Sequence, residues 1–118
     1  MKKFTLYFLC IISNSNYFYA QPSIQWQKPF GGSSDDGAYS IQQTTDGGYI
    51  VAGFSNSTDG DVTGNNGFYD YWIVKLNSSS TIQWQKSFGG TNIDEANYIQ
   101  QTSDGGYIVA GDSRSNDF

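Results

Sequence analysis

The densest oxygen chemistry in the chain lies in one loop, Asp59-Gly60-Asp61-Val62-Thr63-Gly64-Asn65-Asn66-Gly67-Phe68-Tyr69-Asp70. Asp59, Asp61, Thr63, Asn65 and Asp70 offer side-chain oxygens at alternating positions and at the loop's end, and Gly64 supplies the bend. Calcium takes about six to eight oxygen ligands, and alternation turns every second side chain to one side. The loop is therefore a candidate calcium site, with calcium the one cofactor the sequence suggests. An ordinary Asp/Asn/Gly turn is the competing reading. Thr63 stands where a charged or amide ligand is usual, Asp70 replaces a bidentate glutamate, and no helix pattern flanks the loop.

A second candidate is the carboxylate pair Asp35-Asp36, since two acids are the minimum apparatus of a glycosidase. Turn geometry and solubility explain adjacent aspartates in a Gly-Ser loop more simply. Histidine is missing from the chain and the one cysteine, Cys10, lies near the N-terminus. A Ser-His-Asp triad, a cysteine nucleophile and an ordinary zinc site are thereby excluded from the rest of the chain. Gly31-Gly32 and Gly47-Gly48 occur in turn contexts without a following helix to cradle phosphate. No enzymatic activity is expected.

Aromatic side chains offer binding rather than catalysis. Trp26, Trp72 and Trp84 lie within apolar or alternating runs, where packing is the default role. Phe68 and Tyr69, in the long loop, are the better candidates for stacking on a glycan.

These residues are positioned by a duplicated unit. Ile24 to Gly60 returns as Ile82 to Phe118, with 25 of 37 positions identical at an offset of 58. IQWQKPFGG becomes IQWQKSFGG, and IQQTTDGGYIVAG becomes IQQTSDGGYIVAG. Each unit holds short strand-like runs between turns. Ala38 to Thr44 and Tyr49 to Phe54 flank Asp46-Gly47, a hairpin signal that recurs at Asp104-Gly105. Tyr49 to Phe54 and Tyr71 to Leu76 are apolar on both faces and should be covered on both. Ile82 to Phe88 alternates, with Ile82, Trp84 and Phe88 on one face and Lys86 lying along the aromatics, as an outer strand does. Ile24 to Phe30 has the same pattern and is expected to be an outer strand too, one that completes the last blade of a full-length ring, a blade absent from this fragment. The fold class is all-β: antiparallel four-stranded meander blades of a β-propeller, about one and a half repeats in an incomplete ring. Repeat 1 spans 24-81 and repeat 2, truncated, 82-118.

In a meander the Gly31 to Gly37 and Asn56 to Phe68 connections emerge on the same rim. Asp35, Asp36, Asp59 and Asp61 should therefore form an acidic rim.

Residues 1-20 read as a signal peptide: Lys2 and Lys3, then the mostly apolar Phe4 to Ile12, then Tyr19-Ala20 before Gln21. The apolar stretch is far short of the roughly 20 residues of a membrane span. A cut after Ala20 and one near Ser13-Asn14-Ser15 both remain open. Beyond the leader, Lys28, Lys75, Lys86 and Arg114 face eleven acids. Such a chain repels nucleic acid and anionic lipid. An extracellular protein or glycan, together with the remaining propeller repeats of a longer chain, are the expected partners of an extracellular or cell-surface binding module, with a carbohydrate-active enzyme on the same scaffold or a purely structural spacer array as the alternatives.

The run FGGSSDD…AYSIQQTTDGGYIVAGFSNS…YDYWIVKLNSSSTIQWQKSFGG resembles the bacterial SBBP-type β-propeller repeat. It is similar to the variant found in long secreted proteins of Gram-negative bacteria that use type IX secretion. The resemblance covers nearly all of residues 24–118 and implies an extracellular or surface-attached propeller, with these residues its N-terminal fragment. It implies no catalytic activity.

Overall fold

The computed structural model describes residues 22–117; the leader expected at residues 1–20 falls outside the described residues. The first four strands are β1 (Asp36–Gln43), β2 (Tyr49–Ser55), β3 (Asp70–Leu76) and β4 (Ile82–Phe88), and they form one antiparallel sheet in the order β1-β2-β3-β4. A second antiparallel sheet pairs β5 (Asp94–Gln101) with β6 (Tyr107–Ser113). No helix occurs among the described residues, and so none is long and apolar enough to cross a membrane.

Both hairpins fall where Asp-Gly places them. Gly47 and Gly105 take φ of 79° and 87°, the left-handed region that a side chain resists. Asp46 Oδ1 accepts from Gly48 N at 3.0 Å and from the Thr44 hydroxyl, and Asp104 repeats both bonds with Gly106 and Thr102. β1 ends one residue earlier than its sequence pattern suggests, because Thr44 N donates to Gly48 O and closes the turn.

Two clusters lie on the two faces of the first sheet, as the two-sided apolar runs require. Ile50, Ala52 and Ile73 pack against Ala96 and Ile99 of the second sheet, joined by Tyr71, Tyr107 and Val109. Val62, Trp72, Val74 and Leu76 form the opposite cluster with Phe30, Tyr49, Val51 and Ile82. Fully burying one such aliphatic side chain contributes roughly 1.5–3 kcal/mol.

Lys75 is buried within this arrangement but fully partnered. Its Nζ donates to both Asp46 oxygens at 3.1 and 2.8 Å, to Leu76 O at 2.9 Å and to Gln83 Oε1 at 3.0 Å. The lysine, then the Thr44 hydroxyl, hold the Asp46 carboxyl well below its ordinary value. A bulge in β4 opposite Lys75 and Leu76 leaves Gln83 outside the ladder and free to meet the amine.

Ile24 to Phe30, expected to pair in a last blade outside the described residues, is laddered to none of the described strands. The segment still packs: Trp26 lies 5.9 Å from the Tyr49 ring, and Phe30 joins the Trp72 cluster. In β4 the aromatic face is the more open one, with Trp84 41 % and Phe88 47 % exposed. The polar face is half-covered by the Asp59–Asp70 loop, where Gln85 bonds Thr63 and Trp72 Nε1, and Ser87 Oγ donates to Thr63 O at 3.1 Å.

Candidate functional site

The connections expected on one rim do meet there. Asp61 N donates to Gly31 O at 3.0 Å, and Asn56 N donates to Asp35 O at 2.8 Å. Asp36 ties the rim together: its Oδ2 accepts from Gly32 N at 2.7 Å and Ser57 Oγ at 2.9 Å, while its Oδ1 accepts from Ser55 Oγ. Asp59 Oδ1 accepts from Ser33 N at 2.8 Å, and Ser57 Oγ from Ser34 N at 3.0 Å. The second unit repeats the pattern with Asp94, Ser115 and Asp117 on Gly90, Thr91 and Asn92. A carboxylate that accepts several N–H and O–H bonds is stabilised in its charged form. Burial raises Asp94, but the bonds from Ser113, Ser115 and Gly90 prevail and hold it at about 2. The backbone N–H of Ser33 likewise lowers Asp59, and that of Thr91 lowers Asp117.

These clamps were legible in a signal the catalytic reading passed over. Ser55-x-Ser57-x-Asp59 returns as Ser113-x-Ser115-x-Asp117, and both follow a Gly-Gly turn with an aspartate four residues after its second glycine. Asp36 therefore has both oxygens occupied by structural donors. It is not a free member of an acid/base pair with Asp35.

The five candidate calcium ligands hold separate parts of the loop. Asp59 binds Ser33 N and Asp61 faces Gly31 N at 3.3 Å. Thr63 receives the Gln85 amide. Asn65 donates to Ser55 O and accepts from Gly67 N, while Asp70 Oδ2 accepts from Asn66 N at 2.7 Å. Among the described residues no group of three or more carboxylates converges. Each of the five side chains thus has a bond of its own.

Asp70 is unlike the others. It is fully buried, and its Oδ1 has no hydrogen-bond partner. A Cβ added to Gly89 would lie 2.6 Å from that oxygen and 2.7 Å from Asp94 Oδ2, so only glycine lets the two carboxylates flank this turn. Burial, opposed by the Asn66 N–H and reinforced by the Asp94 charge, raises the Asp70 carboxyl above its ordinary value.

Binding chemistry concentrates where the two units differ. Tyr39 sits in the β1 bulge between Ala38 and Ser40, which takes it out of ladder register. Its ring lies 5.4 Å from Phe54, Phe54 lies 5.2 Å from Tyr69, and Tyr69 lies 4.9 Å from Phe68. Carboxylates edge this aromatic chain: Tyr69 Oη donates to Asp35 Oδ2 at 3.2 Å, and Tyr39 Oη reaches Glu95 Oε1 at 3.5 Å. Desolvation and then the neighbouring carboxylate raise both phenols. Tyr39 and Phe68 are each more than half exposed.

The second unit cannot build this patch. Asn97 and Asp112 replace Tyr39 and Phe54, and Asn97 Nδ2 donates to Asp112 Oδ2 at 2.8 Å. Gly37 is the enabling residue, because a Cβ there would sit 2.6 Å from Phe54 Cε1; the second unit carries Glu95 at that position. Of the glycan candidates, Phe68 and Tyr69 thus lie together on the rim. Trp72 is buried, and Trp26 and Trp84 pack on Tyr49 and Tyr107. Compared with protein-family models, curated proteins and solved structures, the chain shows no match.

Proposed function

We propose that the chain is a repeat module of an exported β-propeller, secreted or at the cell surface, and that its first unit binds a glycan at the rim. The convergence of Asp35, Tyr39 and Phe54, all specific to the first unit, with Phe68 and Tyr69 carries this reading. Aromatic faces can stack on the apolar faces of a sugar, and flanking carboxylates accept its hydroxyls. The propeller architecture is supported by the four-stranded meander, by its two-sided inner strands, and by the second unit repeating the β1–β2 register in β5–β6. Export is supported by the leader pattern of residues 1–20.

Binding without turnover is the expected behaviour. In isothermal titration against neutral polysaccharides, Phe68→Ala and Tyr39→Ala should each weaken binding about tenfold, or ~1.4 kcal/mol. Trp84→Ala, outside the patch, should leave affinity unchanged. Hydrolysis of any of these polysaccharides, lost in Asp36→Asn, would replace the binding reading with an enzymatic one.

A further inference from the structure

The aromatic chain at the rim sits on a junction whose two sides are both present. Phe54 shares a face of β2 with Ile50 and Ala52, which the second sheet covers. Tyr69 bridges to Ile93, and its carbonyl accepts from Asp94 N at 2.6 Å. A further repeat would stack on the opposite face of the first sheet, where Ile41 pairs with Val51, or beyond the second sheet at Ile108. Phe54 lies on neither of those faces.

The patch combines ring surface with negative charge. Asp35 holds the Tyr69 hydroxyl and Glu95 the Tyr39 hydroxyl, and each bond occupies only one oxygen of its carboxylate. Desolvation, then the Asp35 bond, then the charges of Asp35 and Glu95 raise the Tyr69 phenol, so both carboxylates act on one ring. Among the described residues the sole ion pair joins Lys75 to Asp46 on the opposite rim, and neither Asp35 nor Glu95 is neutralised by a lysine or arginine. Asp36 and Asp59, on the same rim, add to the negative potential. The outer-strand segments differ. Lys28 Nζ lies 5.0 Å from the Phe30 ring centre and Lys86 Nζ 4.8 Å from that of Phe88, so the chain supplies those rings with a cation of its own.

We propose that the glycan held at this rim carries free amines: a hexosamine whose ring stacks on Phe68 or Tyr39 and whose ammonium meets the Asp35 or Glu95 carboxylate. This inference rests on the glycan reading above and names the sugar class. An ammonium draws on both parts of the patch, since ring faces attract a cation and carboxylates accept its N–H donors. A neutral sugar gains the stacking without the charge, and a uronic acid is repelled.

Isothermal titration of the purified full chain tests this with two probes of equal length, an oligomer of glucosamine and one of N-acetylglucosamine. Mildly acidic, low-salt buffer keeps the sugar amine protonated. Wild type should bind the glucosamine oligomer about tenfold more tightly, or ~1.4 kcal/mol. Added salt should shrink that ratio. Asp35→Asn and Glu95→Gln keep an acceptor for the tyrosine hydroxyl, and each should lower the ratio about threefold. Asp104→Asn, which removes the same charge at the opposite rim, should leave the ratio unchanged. Circular dichroism verifies that the variants fold. Equal binding of the two oligomers by wild type would overturn the amine assignment and leave the glycan reading standing, whereas binding of neither would overturn both. A preference that survives both carboxylate substitutions would also overturn the proposal.

Discussion

The two units of this chain share most of their residues and differ sharply in what those residues do. Ile50 and Ile108 are the same side chain at the same repeat position, one buried and one open; Ile41 and Ile99 show the reverse. Sequence identity here conserves the capacity to bury a face, and the neighbouring sheet decides which face uses it. The differing positions teach the converse. Asp35, Tyr39 and Phe54 gather into one patch, while their counterparts Ile93, Asn97 and Asp112 do not. Shared residues build the frame, and unshared ones give the first unit its own surface chemistry.

The largest test of this contrast is in the core. Ile50→Ala should cost about 2–5 kcal/mol. Ile108→Ala should stay within about 0.5 kcal/mol in dilute solution. Urea denaturation measures both, and equal losses would mean that the two faces are equally covered.

A smaller effect sharpens the difference between the rims. Gly37→Glu should destabilise by about 1–3 kcal/mol through collision with the Phe54 ring. Adding Phe54→Asp restores the pair found in the second unit and should recover most of the loss. A double-mutant cycle without positive coupling would break the argument that Gly37 exists to admit Phe54.

The two buried carboxylates should respond to pH with opposite sign. Asp94 is held at about 2, below its unfolded value, so its contribution is present above pH ~4 and lost as pH falls toward 2. Asp70 is raised, so its contribution is present below its unfolded value and lost as pH rises through the folded one. Asp94→Asn should therefore destabilise at neutral pH, by about 1–3 kcal/mol for the donors left poorly paired. Asp70→Asn should raise the melting temperature at neutral pH and leave it unchanged in acid. Melting curves across pH that shift both variants in the same direction would refute the assignment.

The smallest expected effect concerns calcium. With each of the five side chains of the Asp59–Asp70 loop held in a bond of its own, millimolar calcium should move neither wild type nor Asp61→Ala. A stabilisation of wild type that Asp61→Ala abolishes would show that the loop rearranges to close around the ion; at ten times its dissociation constant the ion would add about 1.4 kcal/mol.

The sequence by itself determined the all-β class, both Asp-Gly hairpins, the four meander strands and the meeting of two loops on one rim. These follow from local rules: glycine at positive φ, period-two alternation, and two-sided apolar runs that demand cover. Duplication also marked which residues belong to the frame, but the role of its recurring Ser-x-Ser-x-Asp run as a clamp showed only in the fold. Tertiary structure alone decided the rest. Ile24 to Phe30 has the pattern of β4 but no ladder, because a strand requires a neighbour that pattern cannot supply. Which N–H each loop carboxylate accepts from, Ser33 for Asp59, Gly31 for Asp61 and Asn66 for Asp70, depends on how the folded backbone brings those groups near. Tyr39, Phe54 and Tyr69 lie far apart along the chain; the bulge in β1 and the missing side chain of Gly37 let the Tyr39 and Phe54 rings meet, and Tyr69 reaches Phe54 from the long loop.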